Sequence, residues 1–473
     1  MRFEPHSRTG MAGQTGLAWS AIVPMRWHHP QRLEPGPFHP DEQESNLMTK
    51  RSEPAGQSRL GRAYALSFLT LICAFNYFDR QLLGLLLPQI KAELALSDTQ
   101  IGLTTGLAFV LCYSLAGVPL ARLADRVGRR SVIAYGFAFW SLATLATGWV
   151  TSAVQLAAAR FLTGAGEASG VAPSNAMVSD LISPQRRSLG LGLLSSGNAM
   201  GSIFLFPLAG WIAATSGWRA AFFAAGGAGF LLAVVFRLTV REPIRARQSP
   251  EARTSLKTAM GQMLQVRSFR LSMLAGCAMG ISLYATQIWS PTFLERIHSL
   301  SVTEIAASIG PIRGASSLLG ALLGGWLSSR LERRDIRWLL WLPGLAVLAV
   351  VPADLLFIWA DSLTIALIGY ALAGLLTTLH LVPLYAALLR VAPPATRATA
   401  MALFLLVVNL VGQIAGPLVV GMLNDSLATS LGAGAIRIGM VAAALAAGIA
   451  GLVMLISAGS LPTDATRFRE GEA

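Results

Sequence analysis

From residue 63 onward, apolar runs long enough to cross a bilayer alternate with short polar segments. Twelve runs are read: 63–88, 100–122, 131–150, 153–178, 189–213, 219–240, 270–293, 303–329, 337–358, 363–390, 398–422 and 436–459. A helix needs about 20 residues to span the hydrocarbon core. In lipid every backbone polar group must be satisfied within its own segment, so runs of this length predict helices. The pattern therefore predicts an all-α polytopic membrane protein of about 12 transmembrane helices. The longest polar connection, 241–267, follows the sixth run. It divides the chain into a six-helix bundle over 58–240, a central linker over 241–268, a second six-helix bundle over 269–460 and a tail over 461–473.

Residues 1–57 read differently. They are polar, rich in Pro and Arg, and hold His6, His28, His29 and His39, four of the six histidines. That composition predicts a disordered tail, and Met48 is an alternative start of translation.

Lysine and arginine mark one side. Arg122, Arg126, Arg129, Arg130, Arg186, Arg187, Arg241, Arg245, Arg247, Arg253, Lys257, Arg267, Arg330, Arg333, Arg334, Arg337, Arg390 and Arg397 fall in one set of connections. The alternate set carries little beyond Lys91, Arg219, Arg296 and Arg437. Basic loops stay on the cytoplasmic side. The expectation is a multi-pass protein of the cell inner membrane, with both termini and the linker cytoplasmic.

Composition agrees. Of 473 residues, 53% are hydrophobic and 13% charged, with mean hydropathy +0.56; soluble domains carry about 25% charged residues. The net charge of +13 and pI near 10.6 lie in connections between apolar runs, which argues against nucleic acid as a partner. Cys73, Cys112 and Cys277 all lie within apolar runs, so no disulfide framework, metal site or cofactor is expected. His298 and His380 are the only histidines in the membrane portion, and no Cys or Asp cluster accompanies them. An enzyme would need a nucleophile with a base, or clustered metal ligands, so none is expected.

The candidate chemistry is the charge inside the runs. Arg160 and Glu167 sit seven residues apart in the fourth run, on one helical face about 10.5 Å apart. An intramembrane charge costs from ~3 to over 10 kcal/mol, so such residues face a cavity or a partner. The first run contributes Asn76-Tyr77-Phe78-Asp79-Arg80-Gln81. Asp79 and Arg80 point about 100° apart, which predicts partners on different helices. Asp79 and Glu167 are candidate proton carriers, and Arg80 and Arg160 their charge partners or a site for a substrate anion. The same four residues suit a structural ion-pair network, and the sequence leaves both readings open. Further cavity-lining candidates are Asn76, Tyr77, Tyr284, Gln287, His380, Asn409 and Gln413; each also suits a helix-packing hydrogen bond. The second bundle reads as nearly bare of charge within its runs, His380, Arg313 and Glu295 being the exceptions. Gly164-Ala165-Gly166 is mid-helix, where small residues let helices approach; a dinucleotide loop needs a strand before it.

The connection Asp125-Arg126-Val127-Gly128-Arg129-Arg130 is more than a basic loop. Gly128 permits a tight turn, and Asp125 suits the N-terminus of a neighbouring helix. Together with Arg126, Arg129 and Arg130 they predict a cytoplasmic latch that forms in one conformation and breaks in another. The halves also echo each other. Pro184-x-x-Arg187, Gly197-xxx-Gly201 and Pro207-Leu208 return about 210 residues later as Pro394-x-x-Arg397, Gly412-xxx-Gly416 and Pro417-Leu418. Internal repeats of this kind mark secondary transporters, with the binding site where the halves meet.

These motifs resemble the major facilitator superfamily over about Arg62 to Ser460. The Asp-Arg-x-Gly-Arg-Arg loop is similar to its best-known motif, with Ala121 in place of the usual leading glycine, and Arg160-x-x-x-Gly164-x-Gly166 resembles its fourth-helix motif. Asn76-Tyr77-x-Asp79-Arg80, Gly164-x-Gly166-Glu167-Ala168, Asp180-Leu181-x-x-Pro184-x-x-Arg187 and Val240-Arg241-Glu242-Pro243 together resemble the bacterial spinster-like branch. Anion:cation symporters share two of these motifs. The Gly-Pro pair of drug antiporters is absent, Gly201 being followed by Ser202. The resemblance implies the major facilitator fold, two pseudo-symmetric bundles and proton-linked alternating access by Asp79 and Glu167. Its expected partners are protons, the lipid bilayer and a small lipid-like or organic-anion substrate, and the expected assembly is a monomer. Organic-acid uptake and a non-transporting membrane sensor are the alternatives.

Overall fold

Each of the twelve predicted spans is helical. A computed structural model describes residues 58–243, 256–393 and 396–466. The predicted tail over 1–57 with its alternative start at Met48, most of the linker and the end of the C-terminal tail lie outside the described residues.

In the first bundle, α1 is Arg59–Leu94. Helix α2 runs through Asp98–Gly102, a π segment Leu103–Ala108, and Phe109–Val127. Helix α3 is Arg129–Thr147, and α4 is Ala153–Glu167 continued by Val171–Leu181. Helix α5 is Arg187–Met200 with a second π segment, Gly201–Leu205, and 206–216. Gly217, at φ 83° and ψ 162°, breaks the chain there and α6 follows over 218–239. A side chain would strain that φ.

In the second bundle, α7 is Arg267–His298, α8 Val302–Leu331, α9 Trp338–Trp359, α10 Leu363–Leu379 continued by Leu381–Arg390, α11 Arg397–Leu431 and α12 Ala435–Ala458. A short helix, Leu256–Gln265, lies within the linker, and Leu461–Thr466 follows α12. The Ser268 amide donates to Asp464 at 2.7 Å, so the start of the C-terminal tail is tied to the start of α7.

The repeat is visible in local chemistry. Helix α1 ends on Ala95 in the left-handed region (φ 50°), and α2 opens with a capping box of Ser97 and Gln100. Helix α7 ends on Ser299 (φ 54°), and α8 opens with a capping box of Ser301 and Glu304. Each box satisfies two amides that a helix start leaves open. Helices α4 and α10 break at equivalent places, after Glu167 and at His380.

Among the described residues, seven continuous helical stretches combine membrane-spanning length with high hydropathy. Helices α1, α3 and α4 fall outside them. These are the helices that carry Asp79, Arg80, Arg160 and Glu167 or pack around them.

Three apolar cores hold the helices. At the arginine-poor end one core joins both bundles, with Leu82, Leu86 and Phe222 of the first packed with Trp289, Phe293, Ile305 and Phe357 of the second. At the arginine-rich end the bundles have separate cores. One holds Leu69, Phe137, Trp140 and Phe236, the other Phe269, Leu339, Leu388 and Phe404. The bundles are fused at one end and divided at the other.

Candidate functional site

Arg80 and Asp79 diverge by one helical step, yet both find their charge partner on α4, which corrects the expectation of partners on different helices; Asp79 alone also reaches α3. Arg80 Nε donates to Glu167 Oε2 at 2.6 Å, and Asn76 Nδ2 donates to the same oxygen at 3.2 Å. Asp79 Oδ1 accepts from Thr144 Oγ1 of α3 at 2.9 Å, while its Oδ2 lies 4.0 Å from Arg160 Nη1. Glu167 is fully buried, and Asp79 and Arg160 are each 4% exposed. Two acids and two bases thus form crossed pairs between α1 and α4.

Both cations lie over the Phe109 ring. The Arg80 guanidinium lies 5.1 Å and the Arg160 guanidinium 5.0 Å from its ring centroid, and Arg80 also lies 4.7 Å from the Tyr113 ring. Aromatic faces attract cations more strongly out of water. Phe109 directly follows the π segment of α2. One extra residue per turn re-aims the helix face beyond it, and such bulges recur at functional sites. The glycine motif explains how α4 comes this close. A Cβ at Gly164 would overlap the Phe109 carbonyl, and one at Gly166 would lie 2.6 Å from Trp140 Cβ.

The pairs are incompletely satisfied. Asp79 Oδ2, Glu167 Oε1, Arg80 Nη2 and Arg160 Nε are buried with no hydrogen-bond partner among the described residues. Both arginines line a cavity of about 390 Å³ that crosses between the bundles, together with Tyr284, Gln287 and Gln413. A second cavity, about 730 Å³, lies between α1, α4 and α5 and is lined by Asn76, Tyr77, Arg80, Ser174 and Asn198. Asn409 is held by the Tyr284 hydroxyl. His380 is buried at the break in α10 and is not among the residues lining these cavities.

The motif loop turns on its glycine. Gly128 has φ 114° and makes the one-residue turn between α2 and α3. The carboxylate on the α3 N-terminus is Glu242. It accepts from the Arg129 amide at 2.7 Å and the Arg130 amide at 2.9 Å. Asp125 stays on the exposed side of α2, while the chain leaving α6 returns to the turn. Arg129 pairs with Asp180 and donates to the Ala176 carbonyl at 2.7 Å, both in α4. The loop therefore ties α3 to α4 and α6 within the first bundle.

Two features escaped the sequence reading. The first is a bridge at the arginine-poor end. Arg296 of α7 grips Asp98 of α2 with both guanidinium nitrogens, at 2.7 and 2.9 Å. Lys91 pairs with the same carboxylate, and Asn424 of α11 donates to it at 3.0 Å. Asp425 accepts from the Asp98 and Thr99 amides at 3.0 and 2.8 Å, capping α2 from the opposite bundle. No local pattern marks Asp425, so distant in the chain, as the partner of the α2 start. Nearby, hydrogen bonds from the Trp218 indole N–H and Arg219 hold Glu93 below the usual carboxylate range.

The second is Asp354 in α9, 4% exposed. It corrects the expectation of a second bundle nearly bare of charge. An apolar surround, Val350-Val351-Pro352-Ala353 before it and Leu355-Leu356 after it, hides it from a hydropathy reading.

The profile of the Major Facilitator Superfamily matches residues 69–417. An MFS-type efflux pump of Mycolicibacterium smegmatis is 35% identical over 79% of this chain and 86% of its own length. Protein spinster homolog 1 of Xenopus laevis is 25% identical over 83% of this chain and 80% of its own. The probable galactarate/D-glucarate transporter GudP of Bacillus subtilis is 26% identical over 59% and 68%. The fold is similar to a crystal structure of a bacterial homolog of the human lysosomal transporter Spinster, inward-facing and unoccupied, at TM-score 0.77 and 26% identity over 86% of this chain and 99% of that one.

Proposed function

Because this chain belongs to the major facilitator superfamily, whose members are transporters and not enzymes, we propose that it is a proton-coupled carrier of a small anionic or amphiphilic solute. It is a multi-pass membrane protein with a spinster-like fold. The observation that carries the proposal is the crossed pair of buried ions opening on the inter-bundle cavity.

The chemistry follows from competition. Arg80 is held by Glu167 on one side and faces the cavity on the other. Breaking a buried ion pair on one side only costs about 3–5 kcal/mol, because a charge is left alone in a low dielectric. A proton on Glu167 removes that cost and frees Arg80 for an anionic group of the solute. Loss of the proton recaptures Arg80 and weakens the solute's hold. The unsatisfied oxygens Glu167 Oε1 and Asp79 Oδ2 are where protons add. Two guanidiniums on one cavity wall favour an anion, in keeping with the sugar-acid relative, while the efflux pump favours export.

Alternating access has a physical basis in the cores. One core joins the bundles at the arginine-poor end, and separate cores leave the arginine-rich end divided. With the arginine-rich loops cytoplasmic, this is the arrangement that admits solute from the cytoplasm. The reading places the protein in the cell inner membrane with both ends of the chain inside.

The test is Glu167→Gln in proteoliposomes. The variant is expected to lose accumulation driven by a pH gradient while keeping solute exchange. Uphill accumulation by the variant at the native rate would remove Glu167 from coupling.

A further inference from the structure

A cavity of about 560 Å³ enters the second bundle between α1, α7, α8, α9 and α10, lined by Tyr77, Gln287, Arg313, Ser317, Asp354 and Tyr370 among others. It holds one carboxylate and one guanidinium. Neither belongs to the crossed pairs described above.

Asp354 is 4% exposed, and no cation within the described residues pairs with it. Arg313 donates to Gln81 Oε1 and lies 5.6 Å from the Tyr370 ring centroid, and no carboxylate among the described residues pairs with it. The two do not pair with each other, although both line one cavity. The other titratable groups on that wall are Tyr77 and Tyr370. Buried charges are ordinarily paired or hydrogen-bonded. Here a buried carboxylate and a partly buried guanidinium instead face the same space.

We propose that this cavity recognises a solute bearing both a protonated amine and an anionic group, with Asp354 accepting from the amine and Arg313 meeting the anion. The inference rests on the reading of the chain as a solute carrier and adds the substrate's charge pattern. An amine on Asp354 forms charge-assisted hydrogen bonds, which are about twice as strong as neutral ones. Tyr77 belongs to α1, as do Asp79 and Arg80. A solute here therefore touches the helix that carries the coupling residues while resting on the opposite bundle.

Calorimetric titration of the purified full-length protein tests this, using four probes on one aromatic skeleton. These are phenylalanine, 2-phenylethylamine, 3-phenylpropanoate and 2-phenylethanol. Phenylalanine is expected to bind tightest. Asp354→Asn should weaken phenylalanine and phenylethylamine by roughly tenfold or more and leave phenylpropanoate unchanged. Arg313→Gln should weaken phenylalanine and phenylpropanoate and spare phenylethylamine. Thermal melting checks that each variant folds, and Asp354→Glu, which keeps the charge, should still prefer the amine to the alcohol. Unchanged binding by Asp354→Asn, an equal loss for all four probes, loss of the amine preference in Asp354→Glu, or no binding of any probe overturns the proposal. These titrations use protein with native Glu167 and no pH gradient, whereas coupling is read from uphill accumulation in proteoliposomes, so failure of this site and failure of proton coupling are separable.

Discussion

Glu167 and Arg80 show how little room one residue has here. A fully buried carboxylate stands 2.6 Å from the guanidinium that neutralises it, and the helices carrying them meet through glycine. Gly164→Val is expected to force α4 away from α2, because a Cβ there would overlap the Phe109 carbonyl, which is backbone and cannot rotate aside. Low yield of folded protein and a melting temperature several degrees lower would register it. Gly192→Ala on α5, where a Cβ would meet nothing within 4 Å, should instead raise stability by about 0.5–1 kcal/mol. Equal melting temperatures for the two variants would contradict this account of the packing. At this scale the sequence revealed the charges and the divergence of Asp79 from Arg80, because both follow from residue type and a 100° step. It did not reveal which acid takes which base. That depends on the rotation of α3 and α4, and Thr144 carries no mark of its role. Asp354 was overlooked because a single acid scarcely lowers the mean hydropathy of a long apolar run.

Helix ends carry the next level. Asp98 lies at the first turn of α2, and its carboxylate gathers Arg296, Lys91 and Asn424 while its amide is capped by Asp425. Removing one partner of a buried hydrogen-bonded charge pair costs about 2–5 kcal/mol. Asp98→Asn is therefore expected to shift the carrier toward a state open at the arginine-poor end by about tenfold or more. Spin labels at the ends of α2 and α11 would report a longer distance population, and an unchanged distribution would show that the bridge does not hold that end closed. The bridge was not legible, because Asp98 and Asp425 are 327 residues apart and meet only through the pseudo-symmetric placement of the bundles. The π segments were equally hidden, since no residue in Leu103–Ala108 demands an extra residue in the turn.

Across the whole molecule, twelve spans and two bundles were legible because lipid imposes helix length and the loop charges alternate. The division of the apolar interior into one shared and two separate cores was not, since any Leu or Phe suits either. The turns at the arginine-poor end have a further consequence. They are 95–97, 148–152, Gly217, 299–301, 360–362 and 432–434, none longer than five residues. A protease needs an extended stretch of chain, and an antibody needs a protruding one. That face offers neither among the described residues, whereas the longest connection, 240–266, leaves from the other side. Trypsin added to intact spheroplasts should leave the protein whole, and trypsin added to inverted vesicles should split it into two fragments of similar size. Cleavage in spheroplasts would reverse the assigned orientation. In the proposed orientation, the described residues show the cell's surroundings a ring of tight corners, a surface hard to immunise against, hard to digest and hard for a phage to grip.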